Sequence, residues 1–262
     1  MGRFKSHIIG FIGAAGLALA ATGQAHAVPV DLELSLVVDT SGSVDPTEYT
    51  LQYQGYVDAF NSAAVQTAIS NTTNGIAVNV VQFNTSASVQ IGWTHLTNAT
   101  DAANFANSIA ALFTPNVTSG GGSTDIAEGI DLGTTEILGN AFEGDRLVID
   151  VSGDGTQNVS HDGLSRTAAV QAQRDIAELA GITINGLPIL NDVATLDTYY
   201  TNNVITSDGF VVAAASFEVF RTAVETKILA EITDTNPVPE PGMLIIFGLG
   251  LAGLGYARRR RA

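Results

Sequence analysis

The chain has no cysteine among its 262 residues. Disulfide scaffolds, thiolate metal sites and cysteine nucleophiles are therefore excluded. Positive charge is nearly as scarce. Six of the 11 basic residues are Arg3, Lys5 and Arg258 to Arg261, so residues 28–257 carry the other 5 against all 26 acids, a net of −21. That balance excludes the basic footprint a nucleic-acid partner requires. It favours solubility and repels anionic surfaces unless a cation lies between. Beyond Lys5 the only lysine is Lys227, and no Gly-x-Ser-x-Gly elbow occurs, so the signature of a serine hydrolase is missing as well.

What the chain does have is a 45% share of hydrophobic residues, ample at this length for one α/β domain with a full core. From Asp31 to about Thr235, apolar strand-like runs alternate with helix-period segments. This predicts a doubly wound, Rossmann-like, mainly parallel sheet with one antiparallel edge strand and helices on both faces. Leu34 to Val38 reads as the buried first strand. Asp45-Pro46-Thr47-Glu48 then has the spacing of a capping box with proline in the first turn. Tyr49, Tyr53, Val57, Phe60 and Ala64 give the following helix an inner face. Ile76 to Phe83 and Ser88 to Trp93 read as a hairpin, and Asp101 to Leu112 as a helix. A glycine-rich loop, residues 119–125, opens a helix with Ile126, Ile130, Ile137 and Leu138 facing inward. Arg146 to Gly155 is a central strand with a polar turn. Ser165 to Ala180 is a helix stopped by Gly181, Ile182 to Leu190 a strand, Phe210 to Ala213 a last short strand, and Phe217 to Ile232 the final helix. Five Asn-x-Ser/Thr triplets, at Asn71, Asn84, Asn98, Asn116 and Asn158, read as chance in a chain rich in these residues.

Three polar loops follow strands or open helices in this scheme: Asp39-Thr40-Ser41-Gly42-Ser43, Gly122-Ser123-Thr124-Asp125 and Gly153-Asp154-Gly155. In an open parallel sheet such loops meet outside the carboxyl ends of the strands, where ligands bind. The donors they bring are the hydroxyls of Ser41, Ser43 and Thr124 and the carboxylates of Asp39 and Asp154. Hard oxygen donors of this kind select Mg²⁺, Mn²⁺ or Ca²⁺, and a small octahedral ion such as Mg²⁺ suits a site with few charged ligands. These residues resemble the metal-ion-dependent adhesion site of the von Willebrand factor A domain, with Asp-x-Ser-x-Ser on Asp39, Ser41 and Ser43, the threonine on Thr124 and the second aspartate on Asp154. The stretches DTSGSVDPTEYTLQYQGYVDAF, RLVIDVSGDGTQN, AGITINGLPI, LDTYY and FEVFRTAVETKILAEI resemble a bacterial subfamily of secreted A domains over about residues 30–233. The resemblance implies a cation bound largely by neutral hydroxyls, left electrophilic enough to accept a carboxylate from a partner protein.

The two ends read as addresses. Arg3 and Lys5 precede an apolar run from Ile8 to Ala21, and Ala25-His26-Ala27 has the pattern of a cleavage site, which predicts a signal peptide over residues 1–27. The A domain then spans 28–235. Residues 236–262 run from a proline-rich linker through an apolar stretch, Met243 to Tyr256, into Arg258 to Arg261. With Pro239-Glu240-Pro241 this resembles the PEP-CTERM sorting tail of Gram-negative bacteria. The resemblance implies recognition by an exosortase, transient residence in the inner membrane, and delivery to the cell envelope or extracellular matrix.

The remaining polar residues have plainer expectations. Asp45 caps a helix; Asp125 either supports the site from behind or favours its helix dipole. Asp150, inside an apolar strand, is structural and must find partners. His95 and His161 are expected at the surface, with His161, soon after Asp154, alternatively at the rim of the site; Tyr199 and Tyr200 read as half-buried packing at a loop, or alternatively as a binding anchor. The function this predicts is a non-enzymatic, divalent-cation-dependent protein-binding module. Two alternatives stand beside it: a metal-dependent hydrolase or phosphotransferase using Asp39 as nucleophile, and a passive matrix protein whose metal only stabilises the fold.

Overall fold

The computed structural model describes residues 27–113 and 121–235. The segments read as an export signal and a sorting tail lie outside the described residues, as does the triplet at Asn116, save for Ala27 at the edge of the first. Strand β1 (Val28–Val30) leads into β2 (Leu32–Asp39), every residue of which is buried. Strands β3 (Ile76–Phe83) and β4 (Ala87–Leu96) follow, then β5 (Phe142–Gly144), β6 (Leu147–Gly153) and β7 (Ile182–Pro188). Five of them form one sheet in the order β4-β3-β2-β6-β7, parallel except for the antiparallel edge pair β3–β4. β1 and β5 make a separate two-stranded parallel pair that the sequence pattern did not suggest.

Helices cover both faces, and β2 shows why. Its residues Leu32, Leu34, Leu36 and Val38 enter one apolar layer with α1 (Pro46–Asn61), α2 (Ala63–Ser70), α3 (Ala99–Ala110) and α7 (Phe220–Thr233), which follows a single 3₁₀ turn at Phe217–Val219. Val37 points the other way, into a layer with α4 (Ile126–Gly139), α5 (Arg166–Leu179) and α6 (Leu196–Asn203). A strand buried on both faces is apolar at successive positions rather than at every second one. By the same alternation Asp39 falls on the α4–α6 side. Val38 is in register with Ser152 of β6, so Asp39 and Gly153 end their strands abreast at one edge of the sheet.

Several local expectations need correction. The first helix breaks at Ser62, whose extended backbone ends α1 and whose hydroxyl caps α2 by accepting from Val65 N–H. Ala64 therefore belongs to a new helix and is exposed, while Tyr56 takes a place on the buried face of α1. Leu138 is 61% exposed, because the buried stripe of α4 runs through Ile126, Ile130, Gly133 and Ile137 and a neighbouring residue lies about 100° away from it. The stretch from Phe210 makes only isolated parallel bridges, Gly186 to Val211 and Ile189 to Ala214, and no strand. α6, short and largely polar, lacked a periodic signal.

Asp150 on β6 does find its partner. Lys227 Nζ lies 2.6 Å from Asp150 and 2.6 Å from Glu231, all three fully or nearly fully buried, and Asn185 donates to Glu231 at 3.0 Å. Two carboxylates share one ammonium. Burial pushes the Glu231 carboxyl up to about 7, with Lys227 opposing the shift and Asp150 reinforcing it.

Candidate metal centre

At the end of β2 the chain turns tightly: Ser41 N–H donates to Asp39 Oδ1 at 2.8 Å and Val44 N–H to the Ser41 carbonyl at 3.1 Å. The turn is fastened to β3, where Thr40 donates through both its N–H and its hydroxyl to the Phe83 carbonyl at 2.8 and 3.1 Å. It is fastened to the glycine-rich loop by Gly42 N–H, which donates to the Gly122 carbonyl at 3.1 Å. Asp45 then closes a complete capping box with Glu48 and is spent as a helix cap.

These fastenings bring the three polar loops together. Thr124 Oγ1 donates to Ser41 Oγ at 3.0 Å, Ser41 Oγ lies 3.2 Å from Ser43 Oγ, and Ser43 Oγ donates to Asp154 Oδ1 at 2.7 Å. The hydroxyls thus form one chain from Thr124 to Asp154, with Asp39 at its base. Ser43 is exposed at the mouth; Asp39, Ser41, Thr124 and Asp154 are buried.

The electrostatics of this cluster are unfavourable by themselves. Asp39 Oδ2 and Asp154 Oδ2 are both buried and have no partner among the described residues. Burial, reinforced by the nearby charge of Asp154, pushes the Asp39 carboxyl up to about 7, and burial raises Asp154 too. Gly153 is required here, since a Cβ at that position would stand 2.7 Å from Asp39 Oδ2. Two partly orphaned carboxylates with three hydroxyls fit a divalent cation in both charge and donor type. Among the described residues no three His, Asp or Glu side chains gather as ligands, so a cation here would be held by only two charged groups.

A surrounding layer of amides was missed by sequence reasoning. Asn158, noticed only within a glycosylation-like triplet, accepts from Thr124 N–H at 3.0 Å and returns its own N–H to the Thr124 carbonyl at 3.0 Å. Gln157 donates to Asp125 Oδ1 at 2.6 Å, and the same oxygen caps α4 by accepting from Glu128 N–H. Asp125 therefore both caps its helix and ties it to the Asp154 loop. Gln52 on α1 donates to the Asp39 carbonyl at 3.1 Å. The available signals were that Gln157 and Asn158 follow Asp154-Gly155 almost directly, and that Gln52 is a polar residue beside Tyr53 on a buried face.

His161 is not a surface residue. Its Nδ1 lies 3.4 Å from Glu128 and 3.7 Å from Asp125, in a loop that Gln157 ties to the start of α4 by donating to Asp125 and accepting from Ala127 N–H. His95 remains partly exposed, with Nε2 2.7 Å from the Asn74 carbonyl. Tyr200 is fully buried on α6 and Tyr199 half-buried beside it.

No curated protein matches the sequence. Solved structures similar in fold include the pilus adhesin SpaC from Lactobacillus rhamnosus GG in its open conformation, with TM-score 0.59 and 13% identity over 78% of this chain and 30% of SpaC. Proximal thread matrix protein 1 from the mussel byssus, with a zinc-occupied MIDAS motif, gives TM-score 0.53 and 16% identity over 78% of this chain and 48% of that one. A von Willebrand factor type A protein from Catenulispora acidiphila gives TM-score 0.53 and 12% identity over 77% and 42%. This chain spans less than half of each of these three, and at such identities the likeness is one of fold. The PEP-CTERM protein-sorting motif matches residues 237–261 and marks a secreted, envelope-targeted protein. The family model described as Protein of unknown function (DUF1194) matches residues 29–236, and the chain belongs to that family, built on a von Willebrand factor A-like fold.

Proposed function

We propose that this chain is a non-enzymatic protein-binding module, displayed at the cell envelope, whose binding depends on a divalent cation held by Asp39, Ser41, Ser43, Thr124 and Asp154. The observation that carries the reading is the pair of buried carboxylate oxygens without partners, set beside a chain of three hydroxyls. Uncompensated buried charge is costly, and a cation among these donors offsets it. Mg²⁺ suits the small number of charged ligands best, with Mn²⁺ and Ca²⁺ as alternatives. A bound cation supplies an electrophilic position open to an acidic side chain of a partner. Asp39 and Asp154 would carry the charge, and Ser41, Ser43 and Thr124 would donate neutral oxygen. A net charge of −21 over residues 28–257 would otherwise repel an acidic partner, so the cation sets where contact is allowed.

The adhesin SpaC and the byssal matrix protein with its occupied MIDAS motif are in keeping with this reading. Against phosphoryl or hydrolytic chemistry at Asp39 stand two features. Position 41 is serine rather than a second acid, and Lys227, the one lysine of the domain, is buried between Asp150 and Glu231 on α7. The signal peptide over 1–27 and the tail over 236–262 bracket the module, with an exosortase acting on the tail at the inner membrane before release to the envelope or matrix.

The test is capture of envelope extract by the wild-type chain and by Asp39→Ala, each with and without EDTA. Partners lost on chelation and absent from the variant support the reading. Partners retained equally under all conditions favour a passive matrix role.

A further inference from the structure

We infer that Tyr200 is a positioning residue for the proposed cation site, its buried phenol becoming the donor that holds the Asp39 carboxylate in place when the cation is bound. The inference rests on the cation reading above and adds to it a residue outside the three ligand loops.

The geometry begins with two unsatisfied groups of opposite kind. Asp39 Oδ1 accepts from Ser41 N–H, but Oδ2 has no donor; the Tyr200 hydroxyl, on a side chain with no exposed surface, has no acceptor. Both border one point: a Cβ built on Gly153 would lie 2.7 Å from Asp39 Oδ2 and 3.0 Å from the Tyr200 hydroxyl. A buried donor without an acceptor and a buried acceptor without a donor each cost free energy, and that cost falls when they serve one another. The hydroxyl's reach is itself built into the sheet. Gly153 ends β6, and Gly186 on the neighbouring β7 would place a Cβ 2.7 Å from the Tyr200 ring, so two glycines on adjacent strands clear the path by which α6 sends this side chain under the site. Any larger residue at either place would push the ring away from Asp39.

Ser41 N–H holds Asp39 Oδ1, which leaves Oδ2 as the oxygen offered to the cation. A carboxylate oxygen has two lone pairs, so the Tyr200 hydroxyl can donate to one lone pair of Oδ2 while the other faces the cation, and the carboxylate is then steadied at both oxygens. This makes α6, which contributes no ligand, a support for cation affinity.

The test compares the purified full chain with Tyr200→Phe and, as a control on the adjacent ring, Tyr199→Phe. Mn²⁺ affinity is measured by calorimetry, stability by melting in EDTA, and the environment of the phenol by the tyrosine ultraviolet difference spectrum produced by Mn²⁺. Tyr200→Phe is expected to weaken Mn²⁺ binding about tenfold or more, the usual effect of losing a group that orients a ligand. It is expected to leave melting in EDTA unchanged and to abolish the difference spectrum, while Tyr199→Phe keeps both affinity and spectrum. Wild-type affinity in Tyr200→Phe, with binding intact in the parent, overturns this inference alone. Absence of Mn²⁺ binding in the parent overturns the cation reading, and this inference with it. If Tyr200→Phe does not fold, the spectrum decides: a Mn²⁺-dependent tyrosine signal retained in Tyr199→Phe supports the role, and no such signal in the parent refutes it.

Discussion

Ser43 donates to Asp154 Oδ1 at 2.7 Å across 111 positions of sequence, joining the loop after β2 to the loop after β6. Ser43 is exposed, so this bond contributes little to the core, but it fixes a carboxylate relative to the neighbouring hydroxyls. Ser43→Ala is expected to weaken Mg²⁺ binding at least several-fold. Its effect on unfolding in EDTA should be no more than about 1.5–3 kcal/mol, the worth of one hydrogen bond to a charged group. Calorimetry and denaturant melts check the two halves separately.

Asp39 illustrates a conflict between stability and binding. It is fully buried, one oxygen has no partner, and Asp154 adds like charge. Asp39→Asn should therefore raise stability in EDTA at pH 8, by about 1–2 kcal/mol, by removing a charge that burial disfavours. The same variant should lose the rise in melting temperature that saturating Mg²⁺ gives the parent. A variant that melts lower in EDTA and still responds to Mg²⁺ would contradict this.

The buried trio of Asp150, Lys227 and Glu231 predicts a pH dependence that is independent of any cation. Burial raises the Glu231 carboxyl to about 7 from an ordinary 4.5, so between those values the folded chain holds a proton that the unfolded chain has released. Stability from this group is complete below about pH 4.5 and is lost as pH rises through about 7. In EDTA the unfolding free energy should fall by on the order of 2 kcal/mol across that window. Asp39, raised to about 7 in the same way, adds a fall of the same sign in EDTA, so the contrast is made in an Asp39→Asn background, where Glu231→Gln, which keeps an oxygen for Lys227 and Asn185, should flatten what remains. Urea melts at intervals between pH 4.5 and 8 measure it.

Two glycines of α4 should respond oppositely to alanine. At Gly129 a Cβ would meet Val37 at 2.8 Å and Phe83 at 3.0 Å, where the helix presses on β2 and β3. Gly129→Ala is expected to destabilise by about 1–3 kcal/mol through overpacking, despite alanine's better helix propensity. At Gly139 nothing lies within 4 Å. Gly139→Ala should be neutral or stabilising by up to about 1 kcal/mol. Thermal melts of the two variants check the contrast.

Legibility in the sequence followed the strength of the local signal. Asp45-Pro46-Thr47-Glu48 announced its helix because a capping box is written within four residues, and the sheet showed through apolar runs buried on both faces. Asp39, Ser41, Ser43, Thr124 and Asp154 stood out because each sits where a strand ends or a helix begins. The break at Ser62 and the exposure of Leu138 were hidden because helical periodicity alone does not fix where a stripe restarts or how wide it is. Asn158, Gln157, Gln52 and Tyr200 were illegible for a different reason. Their neighbours, Thr124, Asp125 and Asp39, are brought to them by folding across the sheet, and local sequence gives only a hint of nearness, as where Gln157 and Asn158 follow Asp154-Gly155.

The most direct measurement is calorimetric titration of the purified full chain with Mg²⁺, Mn²⁺ and Ca²⁺, repeated on Asp39→Ala and Asp154→Ala. One cation per chain is expected in the parent and none in either variant. Binding that persists unaltered in both variants would contradict the cation reading.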